Sequence, residues 1–493
     1  MLIVAVGLGV AVAAWAWRLG GPTAAVVATA LFAFDPNLLG HGPLMKNDVA
    51  SALTWLGLSW GLWDVGRRAT VGTVAGLGGL VCVALTVKFS GTLAVAVVPA
   101  VLVIRAVLPG AWPTAGGLAA SRRHRLLVAA VVTACVAVMA PVGIWAAYGF
   151  RYRSGPAPED HLDLPLLVQR AVDNERTARG DPAATPDLAV GAAVFADRHR
   201  LLPQGYIAGF LFTYGQSLVR PSYLLGRVSL TGSALYFPLA IAFKTPLATL
   251  ATVALAAGAA AMRVVRRRPA LAGIWAAVAL GVPPAAYLAV AVGSNLNIGL
   301  RHVLPIYPPA YVAIGWVVAT ARPGRRCRTV VGLLAVGLAA ETWAARPDYL
   351  AFFNAPSAAY GRGGFDLLGD SNLDWGQDLI ALADWQRRHR GDPIYLSYFG
   401  LADPASFGIR ARPLPGGYLY DVQRPAFPDP ARACWLAVSV TNLQGVALQD
   451  ARLQPYYARL AARPPTEVLG GSIYLYRYDP AEAVREALRA AGH

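Results

Sequence analysis

The residues of this chain that could do chemistry are few and lie at the ends of apolar runs. The first group is DPNLLGHGPLMKND from Asp35, which gathers Asp35, His41, Lys46 and Asp48 in one short connection between two apolar stretches. A carboxylate can take a proton from a hydroxyl and an imidazole can relay one, so Asp48 and His41 are candidates for acid–base work. Helix capping is the plainer explanation of Asp48, because an Asp at a helix start accepts backbone N–H bonds and suits the dipole. A cap alone does not call for His41 and Lys46 beside it.

The second group is the lysines. Of 43 basic residues only Lys46, Lys88 and Lys244 are Lys, and each falls at the predicted end of an apolar run. A compact ammonium suits a phosphate as a point charge, so the three point to an anionic headgroup. Snorkelling of long side chains to the bilayer surface is the alternative. The third group, SNLNIGLRHVLPIYP, carries Arg301 and His302; a guanidinium can grip phosphate through two hydrogen bonds, or simply anchor at an interface. The fourth, GDSNLDWGQDL, sets Asp370, Asp374, Trp375 and Gln377 together, with Asp378 next. Carboxylates four apart with a tryptophan and a glutamine fit a sugar- or acceptor-binding surface. The spacing also resembles a calcium loop, but without the Gly and distal Glu of an EF-hand, and a turn with helix caps explains it equally well.

The elements that must position these groups are membrane helices. The chain has 493 residues, 56% hydrophobic and 14% charged, against roughly 25% charged in a soluble domain. A simple soluble enzyme is excluded. Ten spans are predicted, at 2–17, 22–34, 49–64, 70–87, 89–107, 126–148, 236–262, 270–293, 305–321 and 329–345. The basic runs near Arg18, Arg67, Arg122, Arg266 and Arg325 then share one face, with 15 Arg against the single acid Asp64. By the positive-inside rule that face is cytoplasmic, so the net charge of +16 reports orientation rather than nucleic acid. Cys82, Cys135, Cys327 and Cys434 follow neither a disulfide nor a zinc pattern.

The expected fold class is mainly α: a polytopic helix bundle of about ten spans with a small extracytoplasmic α/β domain at the C-terminus. Helices 1–6 occupy 1–148, an extracytoplasmic loop 149–235, helices 7–10 residues 236–345, and the α/β domain 346–493. The loop holds an amphipathic piece, Leu164 to Ala178, and an apolar-aromatic piece from Leu202, either interfacial helices or ordinary packed ones. In the C-terminal domain, strands are predicted in PIYLSYFG, CWLAVSVT and SIYLYRY, and helices near 378–389, 446–462 and 480–490.

Taken in order, FDPNLLGHGPLMKND, LTVKFSG, YFPLAIAFKTPL, NIGLRHVLPIYP, YLAFFN and DSNLDWGQDL resemble the polyprenyl-phosphate-sugar-dependent glycosyltransferases of the GT-C class, specifically bacterial relatives of the protein O-mannosyltransferases. The resemblance covers nearly the whole chain. It implies a multi-pass cell-membrane enzyme that moves a sugar, such as mannose, from a polyprenyl-phosphate donor to a hydroxyl of a protein or glycan outside the cytoplasm. It places Asp48 as the second acid of such a site rather than its principal base, and the chemistry of Lys46, Lys88, Lys244, Arg301 and His302 suits them to the donor phosphate. The bilayer, the lipid-linked donor and the acceptor are the expected partners, and nucleic acid is not. No particular cofactor is implied, and a divalent cation is left open. The family's long first outer loop with its acidic pair has no counterpart after Met1, so the expectation is an N-terminally shortened form. Two other classes compete: a transporter or flippase of a lipid-linked or anionic substrate, for which neither inverted repeats nor midplane charges are found, and a glycan-binding membrane protein that has lost catalysis.

Overall fold

The computed structural model describes all residues except 154, 156–161, 267–270, 322–323, 390, 418–423, 449 and 481–493. Two compact units emerge, and neither is a single run of chain. One comprises Met1–Arg220, Thr245–Leu296 and Arg301–Thr342; the other comprises Pro221–Lys244, Asn297–Leu300 and Trp343–His493.

The first unit is helical, and helix covers every stretch of it expected to span. Among the described residues of the chain, however, five helices are both long and apolar enough to cross a membrane: Leu2–Ala33, Phe89–Val107, Arg122–Ala147, Leu271–Val292 and Leu300–Ala321. Counting Tyr236–Lys244 with Leu247–Met262 as one broken span gives six by length and composition, so the expected ten are not confirmed. The helices Asp48–Arg67 and Arg325–Ala344 fall outside that set, and Val71–Val87 is short, at 17 residues. These helices mark a membrane protein.

Leu2–Ala33 hides a reversal. Gly21 sits at φ 71°, which breaks the helix just before Pro22. A Cβ on Gly9 would come within 2.8 Å of the Phe32 ring, although 23 residues of straight helix would separate the two by about 35 Å. The two halves therefore lie side by side, as the separate predictions at 2–17 and 22–34 require. Glycines also let other helices close up: added Cβ atoms at Gly143 and Gly315 would collide with Cys82 and with the Ala24 carbonyl. Such close backbone approach is what holds helices together where lipid is as apolar as the side chains. Helices Leu164–Arg179, Leu188–Arg198 and Gln204–Leu218 share a core of Val172, Val190, Ile207 and Leu211, so both pieces of the predicted loop are packed helices. Tyr214 ties them, donating to Glu175 at 3.1 Å and to Asp187.

The second unit contains a five-stranded mixed sheet in the order Arg412–Pro413, Ile394–Ser397, Cys434–Ser439, Ile473–Tyr478, Glu467–Leu469. The first three strands are parallel, and the last two form an antiparallel arm. Helix Leu379–Arg388 buries Leu382 and Trp385 against Ile394, Leu396, Ala437 and Leu475. The helix expected at 446–462 begins only at Gln454, after a turn through Gly445 at φ 75° and a 3-10 turn at Ala451–Leu453. The helix expected at 480–490 lies almost wholly outside the described residues.

A buried carboxylate between two cations

The helices Asp48–Arg67 and Val71–Val87 form a hairpin through a turn at 68–70, so the start of the first and the end of the second lie at the same end. Lys88 follows in extended backbone, φ −156° and ψ 139°, before the 3-10 turn Phe89–Leu93. Asn47 fastens the junction by donating from Nδ2 to the Val87 carbonyl at 2.8 Å. The result is an ion pair between residues forty apart: Lys88 Nζ donates to Asp48 Oδ1 at 2.6 Å. Arg301, at the start of the helix that continues to Ala321, donates from Nη1 to Asp48 Oδ2 at 3.2 Å. Asp48 is 2% exposed. Burying one charge this deeply is tolerable only with such partners.

Among the described residues, one carboxylate here gathers two cations, the kind of group that also attracts an anion such as a phosphate. His302 stands beside them, and its Nε2 is buried without a hydrogen-bond partner. An imidazole nitrogen in that position can donate to or accept from a ligand. Four of the residues singled out from the sequence, Asp48, Lys88, Arg301 and His302, are thus brought together. His41 is buried at the last turn of the short helix Pro36–His41, and Lys46 is exposed in the bend before Asp48.

Asp35 belongs to a different arrangement. Fully buried, it caps Pro36–His41 by accepting from the Asn37 and Leu38 amides at 2.7 and 3.2 Å, and it takes a third hydrogen bond from the Tyr311 hydroxyl. Tyr307, one turn earlier, bonds Thr245 through its hydroxyl at 2.9 Å. Sequence reasoning passed over these tyrosines. Their spacing of four, which puts both on one helix face, was the available signal.

In the second unit, Lys244 is 1% exposed, and its ammonium donates to the Leu350 and Asn372 carbonyls at 2.9 and 2.6 Å, with the Phe353 ring 4.6 Å away. The DSNLDWGQD segment is likewise turned inward. Asn372 donates to the Tyr236 hydroxyl at 2.8 Å and accepts from the Leu300 amide at 3.0 Å, while Ser371 donates to the Ile298 carbonyl. These bonds explain why this unit draws on three separate chain segments. Asp370 adopts φ 53° and accepts from the Ser371 amide. Asp374, with no exposure, accepts from the Gly376 and Thr441 amides at 3.0 and 3.5 Å. Gln377 accepts from the Trp375 amide and donates to the Leu373 carbonyl and to Asp378, which also accepts from Ser472 at 2.6 Å. Burial pushes the Asp374 carboxyl up to about 7 and the Asp378 carboxyl up to about 6. Among the described residues, no group of three or more His, Cys, Asp and Glu is placed to hold a metal ion.

No known protein family, curated protein or solved structure matches this chain.

Proposed function

We propose that the chain is a membrane glycosyltransferase that takes a sugar, such as mannose, from a polyprenyl-phosphate donor and places it on a hydroxyl of an extracytoplasmic protein or glycan. The observation that carries this reading is the buried Asp48 between Lys88 and Arg301, an acid and two cations gathered at one helix end. The order of motifs from FDPNLLGHGPLMKND to DSNLDWGQDL supports it, through the resemblance to GT-C enzymes.

In this reading the acceptor oxygen attacks the anomeric carbon, the bond from that carbon to the phosphate oxygen breaks, and the polyprenyl phosphate departs with the bond electrons. Lys88 and Arg301 stabilise the departing phosphate, with His302 as a further donor. As the phosphate draws the two cations to itself, Asp48 is released to take the acceptor proton, with His41 as the second acid–base candidate. The positive-inside rule applied to runs such as Arg122, Arg123 and Arg125 supports an orientation with those ends in the cytoplasm and this cluster outside.

One observation favours a second reading, a glycan-binding membrane protein without transfer: both Asp48 oxygens already carry cations. Transfer from a labelled polyprenyl-phosphate sugar in membranes containing the protein separates the two. Sugar released onto an acceptor supports the transferase, while donor bound and recovered intact supports the binder.

A further inference from the structure

Between the helices Asp48–Arg67 and Val71–Val87 runs an open groove of about 360 Å³, apolar along most of its length and charged at the end away from Asp48. Glycines hollow it out. On one wall, Gly57 and Gly61 receive Leu80: an added Cβ would come within 2.8 and 3.1 Å of its methyl groups. On the other wall, a Cβ at Gly72 or Gly76 would meet nothing within 4 Å. Glycine weakens a helix, so Gly57 and Gly61 are explained by Leu80, while at Gly72 and Gly76 no protein group fills the space gained.

The charged residues lining the groove are a pair, Arg18 and Asp64, while Arg67 stands outside the lining with its guanidinium 4.6 Å from the Trp63 ring centre. Arg18 lies 3.4 Å from Asp64, with the side chains 46% and 30% exposed, and its guanidinium is 5.5 and 5.2 Å from the ring centres of Trp60 and Trp63. These two helices pack against the membrane-crossing helices Leu2–Ala33 and Arg122–Ala147, so a groove between them meets hydrocarbon, and the indoles suit the level where headgroups begin. The headgroup that matches one guanidinium beside one carboxylate carries both a phosphate and a hydrogen-bonding ammonium. Phosphocholine has no N–H to give Asp64, and phosphoglycerol offers it no positive charge.

We propose that this groove binds a phosphoethanolamine glycerophospholipid, one acyl chain lying over Gly72 and Gly76, the phosphate on Arg18 and the ammonium on Asp64. The site shares no residue with the Asp48 cluster and stands whether or not the chain transfers sugar.

The test uses the purified full chain in detergent, given equimolar phosphatidylethanolamine, phosphatidylglycerol and phosphatidylcholine of identical acyl chains, with retained lipid read by native mass spectrometry. Phosphatidylethanolamine should be retained about fivefold over either competitor, the scale of a partly exposed ion pair. Asp64→Asn should bring its advantage over phosphatidylglycerol to parity. Gly76→Leu, which has room for its side chain and a better helix former, should cut retained phosphatidylethanolamine about tenfold without lowering the melting temperature. Equal retention of the three lipids, an undiminished preference in Asp64→Asn, or unchanged binding in a folded Gly76→Leu would overturn the proposal. So would a dimer that Gly76→Leu dissociates, since a second copy would then occupy the groove. If Asp64→Asn does not fold, the parent's lipid preference and Gly76→Leu decide.

Discussion

Asp48 and Lys88, forty residues apart in sequence, meet at 2.6 Å because two antiparallel helices of 20 and 17 residues bring the start of one to the end of the other. The hairpin delivers the lysine, and Arg301 arrives independently from 253 residues further along the chain to take the second carboxylate oxygen. The chemistry of the site therefore depends on how three cationic and acidic groups share a single buried volume.

Asp48→Asn is expected to abolish transfer and to lower stability by up to about 3 kcal/mol, because the buried Arg301 and the partly buried Lys88 lose a shared counter-charge. Combining it with Lys88→Met should recover part of the stability and none of the transfer. Thermal unfolding in detergent and sugar transfer in membranes measure the two separately. Full transfer by a folded Asp48→Asn protein would leave the residue a structural counter-ion.

Arg301→Lys keeps the charge but loses the planar two-pronged grip on phosphate. Donor titration at fixed acceptor should show the apparent donor affinity reduced about tenfold, the scale of one charge-assisted hydrogen bond. An unchanged affinity would assign Arg301 to holding Asp48 alone.

Lys244→Met is expected to act on stability rather than on the donor. The change leaves the Leu350 and Asn372 carbonyls without their buried donor, a loss of about 2 to 4 kcal/mol in total. Amide exchange in the segment 370–374 should quicken while donor affinity in the folded fraction stays the same. A selective fall in donor affinity would return Lys244 to the phosphate.

The second unit should loosen as pH rises. Asp374 and Asp378 hold their protons more tightly folded than their ordinary value of 3.8 allows unfolded, with carboxyls at about 7 and about 6. Their contribution is fully present below about pH 4 and is lost as pH climbs through about 6 and then 7. Hydrogen exchange across the strand Cys434–Ser439, corrected for intrinsic rates, should show less protection at pH 8 than at pH 5. Asp374→Asn, neutral at both, should flatten the difference; a parent protein with no difference would show both carboxyls ionised at little cost.

What the sequence determined by itself is what periodicity and local chemistry control. Runs of apolar residues suffice to place helices, because any such run must satisfy its own backbone in lipid. Alternation and β-branching likewise marked Ile394–Ser397, Cys434–Ser439 and Ile473–Tyr478 as strands, and the break at Gly21 follows from a glycine before a proline. Residue type alone also picked out Asp48, Lys88, Arg301 and His302. It could not say which of the three lysines would join them, since Lys46, Lys88 and Lys244 look alike as sequence. Only tertiary structure decided that Lys88 faces a carboxylate while Lys244 faces two carbonyls, because a cation's role is set by what folding packs around it. The same holds for DSNLDWGQD, whose polar side chains could serve a ligand or the protein's own backbone. Tertiary contacts gave them to Tyr236, Leu300, Thr441 and Ser472, partners 67 or more residues away that no local pattern announces.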